Sequence, residues 1–241
     1  MMKKLVSIWT IVIAVAVLLV VVTTVSLAVW RQNDHDSLHV RTPIADEDTS
    51  LKYQMYVPVE MLTTVDDKTG ESVPVLSSIS QTAYRRLAGT FSVTNDQYSY
   101  TLTTASDASK IVGFALVGWF GGIAYDACYV PEEITVTVDG NPVKKPVVKV
   151  LADTDFIDYS FRGENTVITN IVISKNVNEI DSGFFFGMPY LTSVKFLGTE
   201  SDSTIFLRSR CFGCCVRLRT PESERTIMAD NAYDGSGTLA D

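Results

Sequence analysis

Four cysteines, two histidines and three carboxylate pairs are the residues whose types and spacing could carry chemistry. Cys211 and Cys214 stand three apart, a spacing used by zinc sites and dithiol redox pairs, and Cys215 follows directly. A zinc site would need Cys128 to arrive from far upstream. Three fates stay open for these thiols: core packing, a disulfide involving Cys214 or Cys128, or metal and redox chemistry. His35 and His39 are one helical turn apart, which would suit two metal ligands, but their neighbours show no helical pattern and no third ligand is near. No histidine follows His39, so a Ser-His-Asp or Cys-His machine requires one of these two to fold back onto the body.

Glu132-Glu133, Asp155/Asp158 and Glu179/Asp181 are the carboxylate pairs. Sugar hydrolysis needs two carboxyls held about 5 to 9.5 Å apart in a cleft. An acidic chain supplies such pairs freely on its solvated faces, and that is the expectation here. Tyr84, Tyr98, Tyr100, Phe114, Trp119, Phe120 and Tyr125 could bind a carbohydrate or protein if exposed, and most are expected in the core. The sequence therefore names no catalytic, cofactor-binding or metal-ligating residue, and no cofactor is expected.

The elements that must position these residues follow a clear order. Residues 1–4 carry Lys3 and Lys4. Leu5 to Val29 contains no charge and would be about 37 Å long as a helix, enough for a hydrocarbon core of about 30 Å. A transmembrane signal anchor over 5–30 is expected, with the N-terminus in the cytoplasm and the body extracellular. Cleavage after Ala28 would instead give a secreted chain. Residues 31–50 are polar and read as a linker. The net charge of -8 becomes more negative still beyond Arg31. Such a surface repels phosphate backbones, so nucleic acid is not an expected partner.

From 51 to 165 the chain is rich in Val, Thr, Ser and Tyr in short alternating runs, as in Tyr98-Ser99-Tyr100-Thr101-Leu102, which predicts strands. Ser77 to Leu87 reads as a short helix. Gly118-Trp119-Phe120-Gly121-Gly122 lacks the Lys-Ser/Thr of a phosphate loop. Ile134, Val136 and Val138 alternate with polar residues, Asp139-Gly140-Asn141-Pro142 turns the chain, and Val143 to Val150 returns, predicting a β-hairpin. Pro146 predicts an exposed edge in the return strand.

Repeats occupy 166–219. Ile168, Ile171 and Ile173 recur 23 residues later as Leu191, Val194 and Phe196. Ile180, Ser182, Phe185, Met188 and Leu191 recur 27 residues later as Leu207, Ser209, Phe212, Cys215 and Leu218. A unit of this kind cannot close its own core, so neighbours stack and share one. Ile171 to Phe196 resembles the BspA-like leucine-rich repeat of bacterial surface proteins. Ile173, Val177, Ile180, Phe185, Met188, Leu191, Val194 and Phe196 fill its apolar positions, and Cys211, Phe212, Cys215 and Leu218 fit the next unit. The resemblance places Cys211 and Cys215 in core slots.

The expected fold class is mainly β: an N-terminal transmembrane helix, a β-rich capping domain with a hairpin over 51–165, a short leucine-rich-repeat solenoid over 166–219 and a polar tail over 220–241. The resemblance implies a non-catalytic, membrane-anchored surface protein, an adhesin or protein-binding scaffold that takes an extracellular protein or matrix ligand on its repeat surface. The alternatives are a structural envelope module without a soluble ligand and a secreted carbohydrate-active enzyme.

Overall fold

A computed structural model describes residues 54–237 except 77–81, 95–96, 120–126, 160, 162–166, 220 and 230. All described residues belong to the unit Ile44–Asp241. The strands are β1 (Gln54–Met61), β2 (Thr63–Val65), β3 (Ser72–Pro74), β4 (Tyr84–Arg86), β5 (Gly89–Thr94), β6 (Gln97–Leu102), β7 (Gly113–Trp119) and β8 (Ala127–Val130). They continue as β9 (Glu133–Val138), β10 (Asn141–Val150), β11 (Asn170–Ile173), β12 (Glu179–Ile180), β13 (Ser193–Phe196), β14 (Ile205–Leu207), β15 (Glu222–Ser223) and β16 (Ile227–Ala229).

The expected fold class is corrected at its first element. The described residues are mainly β, 47% strand and 6% helical, and among them no helix is long and apolar enough to cross a membrane. The stretch 5–30 and the linker 31–50 lie outside the described residues. The short helix expected over Ser77 to Leu87 is also corrected. Tyr84–Arg86 is a strand paired antiparallel with β1, because Tyr84 can then pack against the core while Arg85 points to solvent.

β7 (GFALVGW) is buried along its whole length. A run that is apolar at every position suits a strand covered on both faces. It pairs antiparallel with β1 and parallel with β10. Asp139 and Gly140 both take positive φ, 48° and 79°, the conformation of a two-residue turn whose twist matches its strands. The register places Val138 opposite Asn141 and Glu133 opposite Pro146. Pro142 and Pro146 thus fall at the alternate positions whose backbone nitrogens face away from β9, where a missing N–H costs nothing. Pro146 also marks a junction. Before it β10 pairs with β9, and from Val147 onward it pairs with β7 and β12.

Beyond that junction the chain coils. One parallel sheet runs β8, β11, β13, β15, and the other continues β10, β12, β14, β16. Asn170 lies opposite Ser193 and Ile173 opposite Phe196, so the short sequence offset is a physical strand register. Ile180 lies opposite Leu207. The inward residues Cys128, Ile171, Val194, Val150, Ile180 and Leu207 are buried. A third ladder closes each coil. Phe185 N–H donates to the Cys211 carbonyl and Gly187 N–H to the Gly213 carbonyl at 2.8 Å each, and Phe212 N–H donates to Ala232 at 2.9 Å. Left-handed residues recur in this ladder: Gly183, Arg210 and Asn231 at one level, and Gly187, Cys214 and Gly235 four residues on. The chain must turn there, and glycine takes that conformation at least cost.

Residues 220–241, read as a disordered tail or an interrupted further repeat, carry two strands. β15 pairs with β13 and β16 with β14, so the chain makes another coil. Arg225 locks it. Its side chain is buried, and it donates to the carbonyls of Ser203 (2.6 Å), Val177 (3.0 Å), Ser174 (3.3 Å) and Leu197 (3.5 Å). Through the core runs an aromatic spine. Phe185 stacks on Phe212 at 5.2 Å and Phe212 on Tyr233 at 5.8 Å. The boundary at 165/166 divides strands that pair, since β8 adjoins β11 and β10 adjoins β12.

Candidate interaction surface

The residues singled out for chemistry are mostly committed to the fold. Cys128, Cys211 and Cys215 are buried, Cys214 is half-buried, and all four are free thiols. Cys128 accepts a hydrogen bond from Gln54 Nε2 at 3.3 Å, and burial pushes its thiol well up. Burial does the same to Cys211 and raises Cys215 to about 11. Cys214 fills a turn position that glycine fills in the neighbouring coils. No disulfide joins these residues, and among the described residues no group of three or more His, Cys, Asp or Glu is placed to hold a metal ion. His35 and His39 lie outside the described residues.

A thiol must ionise to react, and a raised pKa keeps it neutral at ordinary pH. In the native protein at pH 8, a thiol reagent should modify Cys214 quickly. Cys128, Cys211 and Cys215 should react only after denaturant is added. Titrating free thiols with and without urea checks this, and rapid labelling of all four without denaturant would refute the burial.

The carboxylates are engaged by cations. Glu132 faces Lys175 at 3.3 Å and Glu133 faces Lys144 at 3.0 Å. Glu179 and Asp181 form the densest cluster. Lys149 Nζ lies 2.9 Å from Asp181 and 3.4 Å from Glu179, and Arg208 Nε lies 2.6 Å from Glu179. Burial raises the Asp181 pKa against the opposing pull of Lys149. This is a closed ion network across β10, β12 and the end of β14. Asp155 pairs with Arg86 at 2.6 Å, while the side chain of Asp158 lies outside the described residues. Among the aromatic candidates, Tyr100, Phe114 and Trp119 are buried. Tyr100 donates to the Leu87 carbonyl at 2.6 Å. Tyr84 packs half-buried against the core and Tyr98 stacks on Phe91 at 5.9 Å. Phe120 and Tyr125 lie outside the described residues.

Among the described residues, two arginines lie over aromatic rings on a strip along the third ladder and the corner after it. The Arg210 guanidinium lies over the half-buried ring of Phe186, 5.2 Å from its centre. Gly213 sits beneath, where a side chain would meet Phe186 at 3.1 Å. One corner on, the Arg217 guanidinium lies over the ring of Tyr190 at 5.6 Å. Tyr190 is 37% exposed, one of the few large apolar side chains on the surface. The coils stack Phe185 on Phe212, and the same step places Tyr190 beside Arg217. A guanidinium over an aromatic face is attracted by the ring quadrupole and gives up little hydration. Such flat, pre-ordered arginine and aromatic pairs are the side chains that most often dominate binding at protein interfaces.

Sequence reasoning did not find this strip. Its one linear signal is the stretch 203–221, which holds Arg208, Arg210, Arg217 and Arg219 and no acidic residue in an otherwise acidic chain.

No known family profile matches the chain, and no curated protein matches it. A search of solved structures finds the crystal structure of a leucine rich cell surface protein from Faecalibacterium prausnitzii. It is 19% identical, with a TM-score of 0.37, and the match covers 64% of this chain and 33% of that one.

Proposed function

We propose that this protein is a non-catalytic binding module displayed at the cell surface, a scaffold of the leucine-rich-repeat kind that takes a protein or matrix partner on its coiled face. The observation that carries this reading is the pair of exposed guanidinium-on-ring stacks, Arg210 on Phe186 and Arg217 on Tyr190. The strip lies on coils whose interior is continuous and buried, which holds its backbone in place before a partner arrives. Pre-ordering of this kind lowers the entropy cost of association. BspA-like spacing in the same coils supports surface display and adhesion.

Alanine at both Phe186 and Tyr190 should remove the platform while leaving the core intact. With the immobilised protein offered purified extracellular-matrix proteins, the double variant should lose most retention of any component bound by the unaltered chain, tenfold or more in Kd. Retention that is unchanged in the double variant, or no retention of any component by the unaltered chain, would overturn the reading.

A further inference from the structure

The two stacks differ in one respect. Arg210 Nε lies 3.4 Å from a carboxylate oxygen of Asp234, which the next coil supplies, and both side chains are more than half exposed. Arg217 makes no ion pair among the described residues. The molecule thus holds the same chemical arrangement twice, once with a carboxylate beside the stacked guanidinium and once without.

The geometry explains why a carboxylate is the fitting ligand. Each ring lies over its guanidinium carbon at 5.2 or 5.6 Å, and no ion pair among the described residues occupies the N–H edge of Arg217. That edge is a planar fork whose spacing matches two carboxylate oxygens. Of the four arginines in 203–221, Arg208 pairs with Glu179 and Arg210 with Asp234, while Arg217 is exposed and makes no ion pair among the described residues. An exposed cation of this kind attracts a carboxylate on a partner. An arginine lies over each ring, and its N–H edge is the part that recognises a carboxylate.

We infer that the Tyr190–Arg217 pair is an open carboxylate receptor, and that together with Arg210 it docks an acidic segment of a protein partner. This rests on the strip being the binding surface.

The test uses the full-length chain and a fluorescein-labelled peptide rich in Asp and Glu, read by fluorescence anisotropy, beside a control peptide with Asn and Gln in their place. The acidic peptide should bind at least tenfold more tightly than the control, and added salt should weaken it. Arg217→Ala should reduce its affinity about tenfold and Arg217→Lys less. Asp234→Asn should increase affinity severalfold by freeing the second fork. Thermal melts of these surface variants should match that of the unaltered protein. Equal binding of the two peptides, no effect of Arg217→Ala, or weaker binding of Asp234→Asn would each overturn the inference. So would heparin binding more tightly than the peptide with the same dependence on Arg217, which would assign the strip to an anionic glycan. The matrix-protein experiment on Phe186 and Tyr190 stands apart from these results. A strip that retains a matrix protein yet ignores the acidic peptide refutes the carboxylate receptor alone.

Discussion

Arg225→Ala should unfold this protein at markedly lower denaturant, with a loss of about 3 kcal/mol from a buried carbonyl left without its donor and the void the side chain leaves. The guanidinium satisfies carbonyls of four residues, Ser174, Val177, Leu197 and Ser203, that lie at the corners of two earlier coils. The Ser174 carbonyl also accepts from Val177 N–H and Ser203 is exposed, so the Val177 carbonyl depends most on the arginine. A buried carbonyl left unpaired costs about 1–3 kcal/mol. The alanine also leaves a void, because the arginine stem packs against Gly198, where an added side chain would meet Arg225 Cδ at 2.6 Å. Arg225→Lys should be intermediate, since an ammonium carries donors but not the fork that spans several carbonyls. Urea unfolding followed by circular dichroism reads the midpoint shift. A change below about 0.5 kcal/mol, the range of ordinary surface substitutions, would mean that water takes over the arginine's role.

Phe212→Ala should cost about as much, about 3–5 kcal/mol, as expected for removing a large aromatic from a packed core. Phe212 is fully buried. It stacks on Phe185 and Tyr233 and meets Phe196 edge to face at 6.3 Å. Its loss interrupts the spine between the last two coils, which cannot collapse without breaking the hydrogen bonds of the third ladder. Phe212→Leu should recover a large part of the loss by filling volume without stacking. Tyr233→Phe offers a contrast from the end of the same spine. The Tyr233 hydroxyl is buried with no hydrogen-bond partner among the described residues, and burial raises its pKa. Removing a desolvated hydroxyl should leave stability unchanged or raise it slightly. Thermal and urea unfolding of the three variants check the order, and a Phe212→Ala protein as stable as Phe212→Leu would deny the spine its role.

Much of the coil was legible because apolar spacing reports strand register. Ile171 and Ile173 face Val194 and Phe196 in the sheet at the same offset that the letters repeat. The hairpin was legible because Asp-Gly is a turn that few other dipeptides make so readily. The last coil was not. Its strands are two and three residues long and largely exposed, with Glu222, Ser223, Met228 and Ala229 at the surface. These exposed strand positions lack the apolar repeat that betrays the neighbouring coils. Its anchors are Ala232, Tyr233 and a buried arginine, and Ala232 and Tyr233 follow Cys211 and Phe212 at a shorter offset of 21 residues. The strip of ring–cation pairs was hidden for a different reason. Its ring–cation pairs join residues of neighbouring coils, and a linear reading cannot pair them until the stacking is known. The expected transmembrane helix came from hydropathy alone, and no described helix matches it.

The divided strand β10 has a consequence for how the molecule assembles itself. Its first half closes a two-residue hairpin, an event of about 1–10 μs that needs no distant partner. Once that hairpin exists, Val147 to Val150 projects from it as an extended edge with both sides unpaired. β7 must return from upstream and β12 from downstream to flank it, and long-range pairings of this kind are the slow ones. A local, fast element thus supplies the template on which the non-local sheets condense. Pro146, at the point where one set of partners ends and the next begins, separates the fast half of the strand from the slow half.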